Sequence, residues 1–433
     1  MKFDIVDWLA APDLEPVERE TLASLRITTG PTSVPITEVE DTIAQTVRQH
    51  INVSAYSLAR WLMINWWRIR WEPARQHRSP DWLTSHCLAA VGGDYAWPAV
   101  VLSSDGEFIQ VHLQAESAPD VSAVRYLRSV ALDLPATDFE AGVDEFFDKV
   151  EARLKLRIPS ERELGELRHE LRGEREDPDH AALCRLQARA GIDPGAASEG
   201  WLKGARALVA IAGDWAAEEI LATTPSLLGG LRDVEVVVQA MKSSSTTVDL
   251  GWAEVEHATP QIGELPWERG SRLARQLRAR LGFVSGPVAT SHLESLLSAK
   301  LPLPKADWSG SRALRGGFRN GVTQGRTAVL VTSPRVDSQR FYLARLIGAA
   351  VAMSKQEHVL AVSDEVTALQ KFERSFAQEF LCPWNDLDGF TEQAGTNEEG
   401  IADAAEHFGV SEWLIASTLV NRGKLPRSRL PAR

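Results

Sequence analysis

The sequence is poor in cysteine and has no long hydrophobic run. Its 433 residues contain three cysteines, Cys87, Cys184 and Cys382, which lie far apart and form no C-x-x-C pair. This spacing argues against a disulfide framework and a zinc knuckle, and it predicts buried thiols in a reducing cytoplasm. The longest apolar runs, such as residues 207–213, fall well short of the roughly 20 residues that cross a bilayer. We therefore expect a cytoplasmic protein without a membrane partner.

Positive charge is also in short supply. The chain has 47 Lys and Arg against 59 Asp and Glu, which gives a formal net charge of −12. This balance argues against a protein that binds nucleic acid over its whole surface, although a local basic patch is compatible with it. Residues 1–16 are acidic and are interrupted by proline, which argues against a signal peptide.

Composition and periodicity predict an α+β protein that is mostly helical. The content of 44% hydrophobic and 24% charged residues is typical of folded proteins, and the length exceeds one ordinary core. Two β-rich runs flank Asp105-Gly106, a dipeptide suited to a tight hairpin. We expect four parts: a Trp-rich α+β domain at 1–157, a helical domain at 158–261, a strand–helix–helix domain at 262–390 and a helix-turn-helix-like segment at 391–433.

Residues 340–351, RFYLARLIGAAV, follow a strand-like run and a polar turn. Zinc proteases often place the helical motif H-E-x-x-H in such a setting. Its two histidines are four residues apart, so both imidazoles leave one helix face and bind one Zn²⁺, while the glutamate takes a proton from the metal-bound water. Neither histidine nor glutamate occurs in this stretch. It therefore follows a strand and a turn as the motif does, but it lacks the metal ligands and the general base.

The wider stretch 325–383 resembles the ImmA/IrrE family of zinc metallopeptidases. Framework residues carry this resemblance: Arg340 and Phe341 open the helix, Gly348 follows, and residues 376–383 (FAQEFLCP) match the end of the family pattern. The resemblance implies that 262–390 is a degenerate metallopeptidase-like domain. It also implies stress response, toxin–antitoxin control or phage defence as the biological setting.

The same resemblance identifies the substituted metal-site positions. Arg345 and Ala349 stand in the two histidine slots, and Leu346 replaces the general base. Gln370 stands where the metal-binding glutamate belongs. A guanidinium that stays protonated cannot bind a cation. We therefore expect no catalytic residue and no metal at this site, and no cofactor.

The C-terminal residues 401–423 are typical of a helix-turn-helix. Ala405 is small where two helices would touch, Gly409 would make the turn, and Ile415 would pack the second helix on the first. Nucleic-acid contacts would then come from Ser417, Asn421, Arg422 and Lys424. The alternative is a packing role for both helices, as the resemblance to ImmA/IrrE-like domains implies.

Six tryptophans lie between residues 61 and 97. Aromatic side chains bury large areas, so this cluster predicts a core, and residues 54–71 predict a helix buried on most sides. The alternative is an aromatic-walled pocket, formed by Asn65, Trp66, Arg70, Trp71 and Glu72.

The charged stretch 169–173, HELRG, supplies a His-Glu pair, but glycine stands in the place of a second histidine. Asp177, Asp179 and His180 follow, so one interpretation is a metal site that includes His169. A solvated charged helix face is the preferred interpretation.

Together these patterns favour a non-catalytic regulatory protein that binds a protein partner on a degenerate metallopeptidase scaffold. Nucleic acid is the alternative partner, in a transcriptional regulator that uses the C-terminal helix pair. A third hypothesis is an enzyme with its site in the Trp-rich domain.

Overall fold

In a computed structural model, the chain forms two compact units, Met1–Ser198 and Glu199–Arg433. The fold is α+β and mostly helical, as the sequence predicted, with 52% helix and 17% strand. The boundary between the units lies inside the predicted helical segment 158–261. The structure describes residues 1–30, 33–75, 78–116, 124–223, 230–253, 259–306, 314–319, 326–353 and 357–430, with only the backbone of 230–234.

Short strands and helices alternate through the first unit. Its strands are β1 (Lys2–Trp8), β2 (Leu22–Thr29), β3 (Val34–Pro35), β4 (Val39–Asp41), β5 (Thr46–Arg48), β6 (Ile51–Ser54), β7 (Val101–Ser104), β8 (Phe108–Leu113), β9 (Val124–Tyr126) and β10 (Val130–Pro135). Its α-helices are α1 (Pro16–Thr21), α2 (Ala55–Ile64), α3 (Trp66–Trp71), α4 (Pro80–His86), α5 (Ala136–Arg157), α6 (Glu163–Glu176) and α7 (Pro178–Arg189). A short 3₁₀ helix covers Leu88–Val91.

The strand pairs described in the first unit are antiparallel. Strand β2 pairs with β1, β3 and β6, β8 pairs with β7 and β10, and β4 pairs with β5 and β9. The predicted hairpin is present, since Ser104 of β7 lies opposite Ile109 of β8. The Asp105 carboxylate accepts hydrogen bonds from the backbone amides of Glu107 and Phe108, at 2.9 and 2.7 Å. Gly106 has a φ of 106°, a conformation that glycine adopts readily.

The tryptophan-rich stretch packs into the core as two helices rather than the one helix predicted. The break falls at Asn65, whose side-chain amide donates to the carbonyl of Trp61 at 2.9 Å. Asparagine side chains compete for backbone acceptors in this way and favour helix ends. Trp61, Trp66 and Trp67 are buried, and Phe139 of α5 stacks on Trp66 with 6.2 Å between ring centroids. These side chains belong to the hydrophobic core of the unit.

Helices dominate the second unit. They are α8 (Glu199–Ala212), α9 (Asp214–Ala222), α10 (Gly230–Ser243), α11 (Pro266–Arg280), α12 (Thr290–Leu297), α13 (Val336–Ala352), α14 (Ala368–Leu381), α15 (Trp384–Ala394), α16 (Glu398–Phe408) and α17 (Glu412–Asn421). Its strands are β11 (Thr247–Asp249), β12 (Leu314–Arg319), β13 (Arg326–Val329) and β14 (Val359–Ser363), and a 3₁₀ turn covers Arg427–Arg429. Within the residues described, no helix combines the length and the apolar character needed to span a membrane.

Helix α14 is the packing centre of the second unit, beside a sheet in the order β11–β13–β12–β14. Helices α11 and α13 both lie on α14, and each approaches it through a glycine. A Cβ on Gly270 would lie 2.4 Å from the carbonyl oxygen of Phe372, and one on Gly348 would lie 3.0 Å from the Phe376 ring. Glycine at these positions therefore permits both α11 and α13 to pack closely on α14.

Arg340 joins α13 to the C-terminal helices α16 and α17, which form the predicted pair. Its guanidinium donates to the carbonyl oxygens of Gly409 at 2.9 Å, Phe408 at 3.3 Å and Val288 at 2.7 Å. It also donates to Thr290 Oγ1 at 2.8 Å. Gly409 has a φ of 63° and ends α16. Arg340, which lies one turn inside α13 rather than at its start, is thus a structural residue that fixes the turn between the last two helices.

Candidate functional site: a buried arginine network

The four residues that the resemblance identified as substituted metal-site positions lie on two facing helices, Arg345, Leu346 and Ala349 on α13 and Gln370 on α14. All four are buried. The structure brings Arg345 and Gln370 together, since Nη2 of the arginine donates to Oε1 of the glutamine at 2.6 Å. Leu346 and Ala349 are fully buried hydrophobic residues of the same helix.

Arg345 lies at the centre of this group. Its Nη2 also donates to the carbonyl oxygen of Ser363, at the end of β14, at 2.5 Å. The same nitrogen is 3.5 Å from Oε2 of Glu373, and Nη1 is 3.9 Å from Oδ1 of Asp364. Burial lowers the pKa of Arg345 to about 10, which still leaves the guanidinium charged at neutral pH. A fixed positive charge therefore occupies the space between α13 and α14.

Glu373 is the second ionisable group, one helical turn beyond Gln370. Its side chain is fully buried, and neither carboxylate oxygen accepts a hydrogen bond from the residues that the structure describes. Burial raises the pKa of Glu373 well above its ordinary range, although the nearby charge of Arg345 acts in the opposite direction. The charge on Arg345 is thus only partly balanced by this neighbour.

Gln370 extends the network to α9. Its Nε2 donates to Oε2 of Glu219 at 3.1 Å and to the carbonyl oxygen of Ala361 at 3.0 Å, while its Oε1 accepts from the Ser363 amide at 2.8 Å. Thr367 Oγ1 donates to the same Glu219 oxygen at 2.5 Å. The network therefore ties together α9, α13, α14 and the end of β14.

This arrangement does not suit a catalytic zinc ion. Such an ion needs three neutral or anionic side-chain ligands that converge on one point. The guanidinium of Arg345 repels a cation, and Leu346 offers no base to activate water. What the group can do is hold a buried positive charge and link four elements of the unit through hydrogen bonds.

Two members of the network, Glu219 and Glu373, were missed in the sequence. Glu373 interrupts the apolar stripe of α14 formed by Leu369, Phe372 and Phe376, and a carboxylate within such a stripe indicates a buried charge. Glu219 lies about 150 residues before its partners. No local pattern identifies such a distant contact.

The predicted nucleic-acid contacts do not form one surface. Ser417 is buried, and its hydroxyl donates to the carbonyl of Leu414 at 3.0 Å. Asn421, Arg422 and Lys424 are exposed at the end of α17. The Arg422 guanidinium lies 5.1 Å from the ring centroid of Trp384, which belongs to α15. An ion pair of 2.6 Å with Asp388, also on α15, raises the pKa of Lys424.

The predicted pocket residues divide between the core and its rim. Asn65, Trp66 and Glu72 are buried, whereas Arg70 and Trp71 are half-buried. The Arg70 guanidinium lies 4.0 Å from the Trp71 ring centroid, and its Nε donates to Glu140 at 2.5 Å.

Glu72 belongs to a separate buried network. Its Oε2 accepts from Arg68 Nε at 2.8 Å and lies 3.1 Å from His86 Nε2. Although burial acts to raise the pKa of Glu72, hydrogen bonds with His86 and Arg68 hold that pKa below its ordinary value. Glu72 is therefore an ionised, internally paired carboxylate.

Comparisons with protein-family models, with curated proteins and with solved structures found no match to this chain.

Proposed function

We propose that this chain is a non-catalytic regulatory protein that binds a protein partner, built on a degenerate scaffold of the ImmA/IrrE type. The observation that carries the proposal is the position of Arg345. Its guanidinium lies between the two helices that carry metal ligands in the family that the sequence resembles. A zinc peptidase would need a metal ion with a bound water at this place. In this proposal the guanidinium supplies a permanent positive charge there instead.

The buried network supports a role for the scaffold other than catalysis. A hydrophobic replacement of a buried ion pair is often neutral or stabilising, so stability alone does not require Arg345 and Glu373. Their network links α9 to α13 and α14 through Glu219 and Gln370. In this proposal the former metal site fixes the position of α9.

Helix α9 offers a surface suited to a protein partner. Trp215, in its first turn, is 57% exposed. The backbone amides of Trp215 and Ala216 donate to the two carboxylate oxygens of Glu357, at 3.3 and 3.2 Å. A carboxylate at a helix N-terminus is favoured by the helix dipole, so Glu357 stabilises the turn that carries the indole. Exposed tryptophans on ordered elements are frequent hot spots of protein interfaces.

The experiment is affinity capture from the native host with the tagged full-length protein, followed by binding measurements with the purified partner. We expect Trp215→Ala to raise the dissociation constant by about 30-fold, which corresponds to roughly 2 kcal/mol for a hot-spot tryptophan. Ile262→Ala is the matched control, because Ile262 is fully exposed and lies outside α9. It should change the dissociation constant by less than about twofold.

Two results would count against the proposal. If the partner binds the Trp215→Ala variant and the wild type with equal affinity, α9 is not the interface. Peptide hydrolysis that requires zinc and is lost in a Gln370→Ala variant would contradict the non-catalytic role itself.

A further inference from the structure

A second polar cluster lies in the first unit, at the junction of α6 and α7. One carboxylate oxygen of Glu174, one imidazole nitrogen of His180 and the sulfur of Cys184 all lie within 4.8 Å of one another. None of these residues takes part in the Arg345 network, and the cluster is independent of the proposed partner binding. One interpretation of the sequence was a metal site of His169 with Asp177, Asp179 and His180; of these four residues, the cluster contains His180.

Local structure explains why the three side chains meet. His180 and Cys184 are four residues apart on α7, so they leave the same helix face. The first turn of α7 is fixed by Asp177, whose Oδ1 accepts from the amides of Asp179 at 3.0 Å and His180 at 3.1 Å. Glu174 belongs to the last turn of α6, which packs against α7. The connection between the helices is short, so the carboxylate is held near the other two groups.

The carboxylate of Glu174 also has a supporting contact. The indole nitrogen of Trp67, on α3, donates to Glu174 Oε2 at 2.6 Å. Hydrogen bonds of this kind orient metal ligands in proteins and tune their affinity. A buried indole that holds one oxygen of the carboxylate is therefore an independent sign that the orientation of this side chain is set by the fold.

We infer that Glu174, His180 and Cys184 bind a divalent cation of the zinc type, with a fourth coordination position left for water or another ligand. A sulfur, an imidazole nitrogen and a carboxylate oxygen form a mixed set that suits Zn²⁺ or Co²⁺, whereas Mg²⁺ and Ca²⁺ prefer oxygen alone. Bond lengths of about 2.0–2.3 Å in a tetrahedral site place ligand atoms roughly 3.3–3.8 Å apart. The three ligand atoms lie within 4.8 Å of one another, so they must approach by roughly 1 Å to reach that geometry.

The competing interpretation is a cysteine nucleophile activated by the histidine. The Cys184 side chain is fully buried, whereas nucleophilic cysteines are partly exposed. A bound divalent cation favours the thiolate directly and accepts it as a ligand. The surroundings of Cys184 therefore suit a metal ligand rather than a nucleophile.

The test uses the full-length protein, stripped of metal with a chelator and then titrated with Zn²⁺ in competition with a chromophoric chelator. We expect one Zn²⁺ per chain. His180→Ala and Cys184→Ser should each lower the affinity by about 100-fold or more, and Trp67→Phe by about 10- to 100-fold, the range found for outer-sphere contacts. With Co²⁺ we expect a thiolate charge-transfer band that is absent in Cys184→Ser.

His169→Ala is the matched control, because His169 is an exposed histidine on α6 outside the cluster. It should retain wild-type affinity. His180 is exposed, so His180→Ala should fold even if a change at the buried Cys184 does not, and the melting temperature of each metal-free variant is the check. Failure of the wild type to compete for Zn²⁺, or equal affinity in the His180→Ala and His169→Ala variants, would overturn the inference.

Discussion

Each unit of this protein buries an arginine beside a glutamate. The two pairs differ in the hydrogen bonds that the arginine and the glutamate form. In the first unit Arg68 Nε donates to Glu72 at 2.8 Å, Nη1 donates to Ser85 at 2.9 Å, and Nη2 donates to Asp81 at 3.3 Å. His86 approaches the same Glu72 oxygen. The pKa of Glu72 is accordingly held below its ordinary value despite burial.

In the second unit the distance between the arginine and the glutamate is longer. Arg345 and Glu373 are 3.5 Å apart, and the guanidinium donates instead to Gln370 and Ser363. Burial raises the pKa of Glu373, and the nearby charge of Arg345 opposes this effect only in part. The same residue types, buried to a similar degree, thus have pKa shifts of opposite direction on their glutamates. Only carboxylates at 3.5 and 3.9 Å, those of Glu373 and Asp364, face the buried Arg345 charge.

The largest expected effect comes from rebuilding part of the peptidase motif, with Arg345→His and Leu346→Glu combined. Loss of the buried leucine contributes roughly 1.5–3 kcal/mol, and an unpaired buried carboxyl adds roughly 1–3 kcal/mol. We therefore expect the free energy of unfolding of the second unit to fall by about 2.5–6 kcal/mol, with no gain of hydrolysis. Denaturant unfolding and a zinc-dependent peptidase assay measure the two outcomes.

Leu346→Met is the control for that variant, because it keeps the side-chain volume and should cost less than about 1.5 kcal/mol. Zinc-dependent proteolysis in the double variant, without loss of stability, would mean that the scaffold still accommodates the metal site.

The second-largest loss of stability is expected when the Arg68–Glu72 pair of the first unit is broken. Glu72→Gln leaves the buried Arg68 without its closest counter-charge, and removal of one partner of a buried pair costs roughly 3–5 kcal/mol. The folded pKa of Glu72 is lowered, so its stabilising contribution is present above the unfolded pKa and is lost as the pH falls through the folded pKa. Hydrogen exchange of peptides from α2 and α3 measures the change within the first unit.

Glu163→Gln is the matched control, since Glu163 forms an exposed pair of 2.7 Å with Arg60. That substitution should cost less than about 1 kcal/mol. A loss for Glu72→Gln as small as that of the control would show that the first pair is not stabilised by its hydrogen bonds.

The smallest effect is expected for Glu373→Gln at mildly acidic pH, about 1 kcal/mol or less, because burial raises the pKa of this carboxyl and so favours its neutral form, which glutamine resembles. The folded pKa of Glu373 is raised, so its contribution to stability is complete below the unfolded pKa and is lost as the pH rises through the folded pKa. The free energy of unfolding of the wild type should therefore fall relative to that of the variant by up to about 1.4 kcal/mol per pH unit in that window. Parallel pH profiles for the two proteins would contradict this assignment.

Local patterns predicted much of the fold. The Asp105-Gly106 hairpin and the pairing of α16 with α17 at Gly409 follow from turn chemistry that acts over a few residues. The break at Asn65 was missed, because an apolar run on both sides favours helix throughout and one side-chain hydrogen bond decides against it.

The site itself was only half predictable. The slots of Arg345 and Gln370 could be located from the framework residues around them. Their partners could not, because Glu219 comes from a helix about 150 residues away and Glu373 lies one turn beyond the expected ligand position. Contacts between distant segments depend on how whole elements pack, which no local pattern specifies.

The measurement that tests the central claim most directly is the zinc content of the His180→Ala variant, in which the proposed metal site of the first unit is disabled. If the charge of Arg345 replaces a metal ion, elemental analysis of this variant will find no stoichiometric zinc. About one zinc per chain, lost when Gln370 and Glu373 are also changed to alanine, would show instead that zinc binds between α13 and α14.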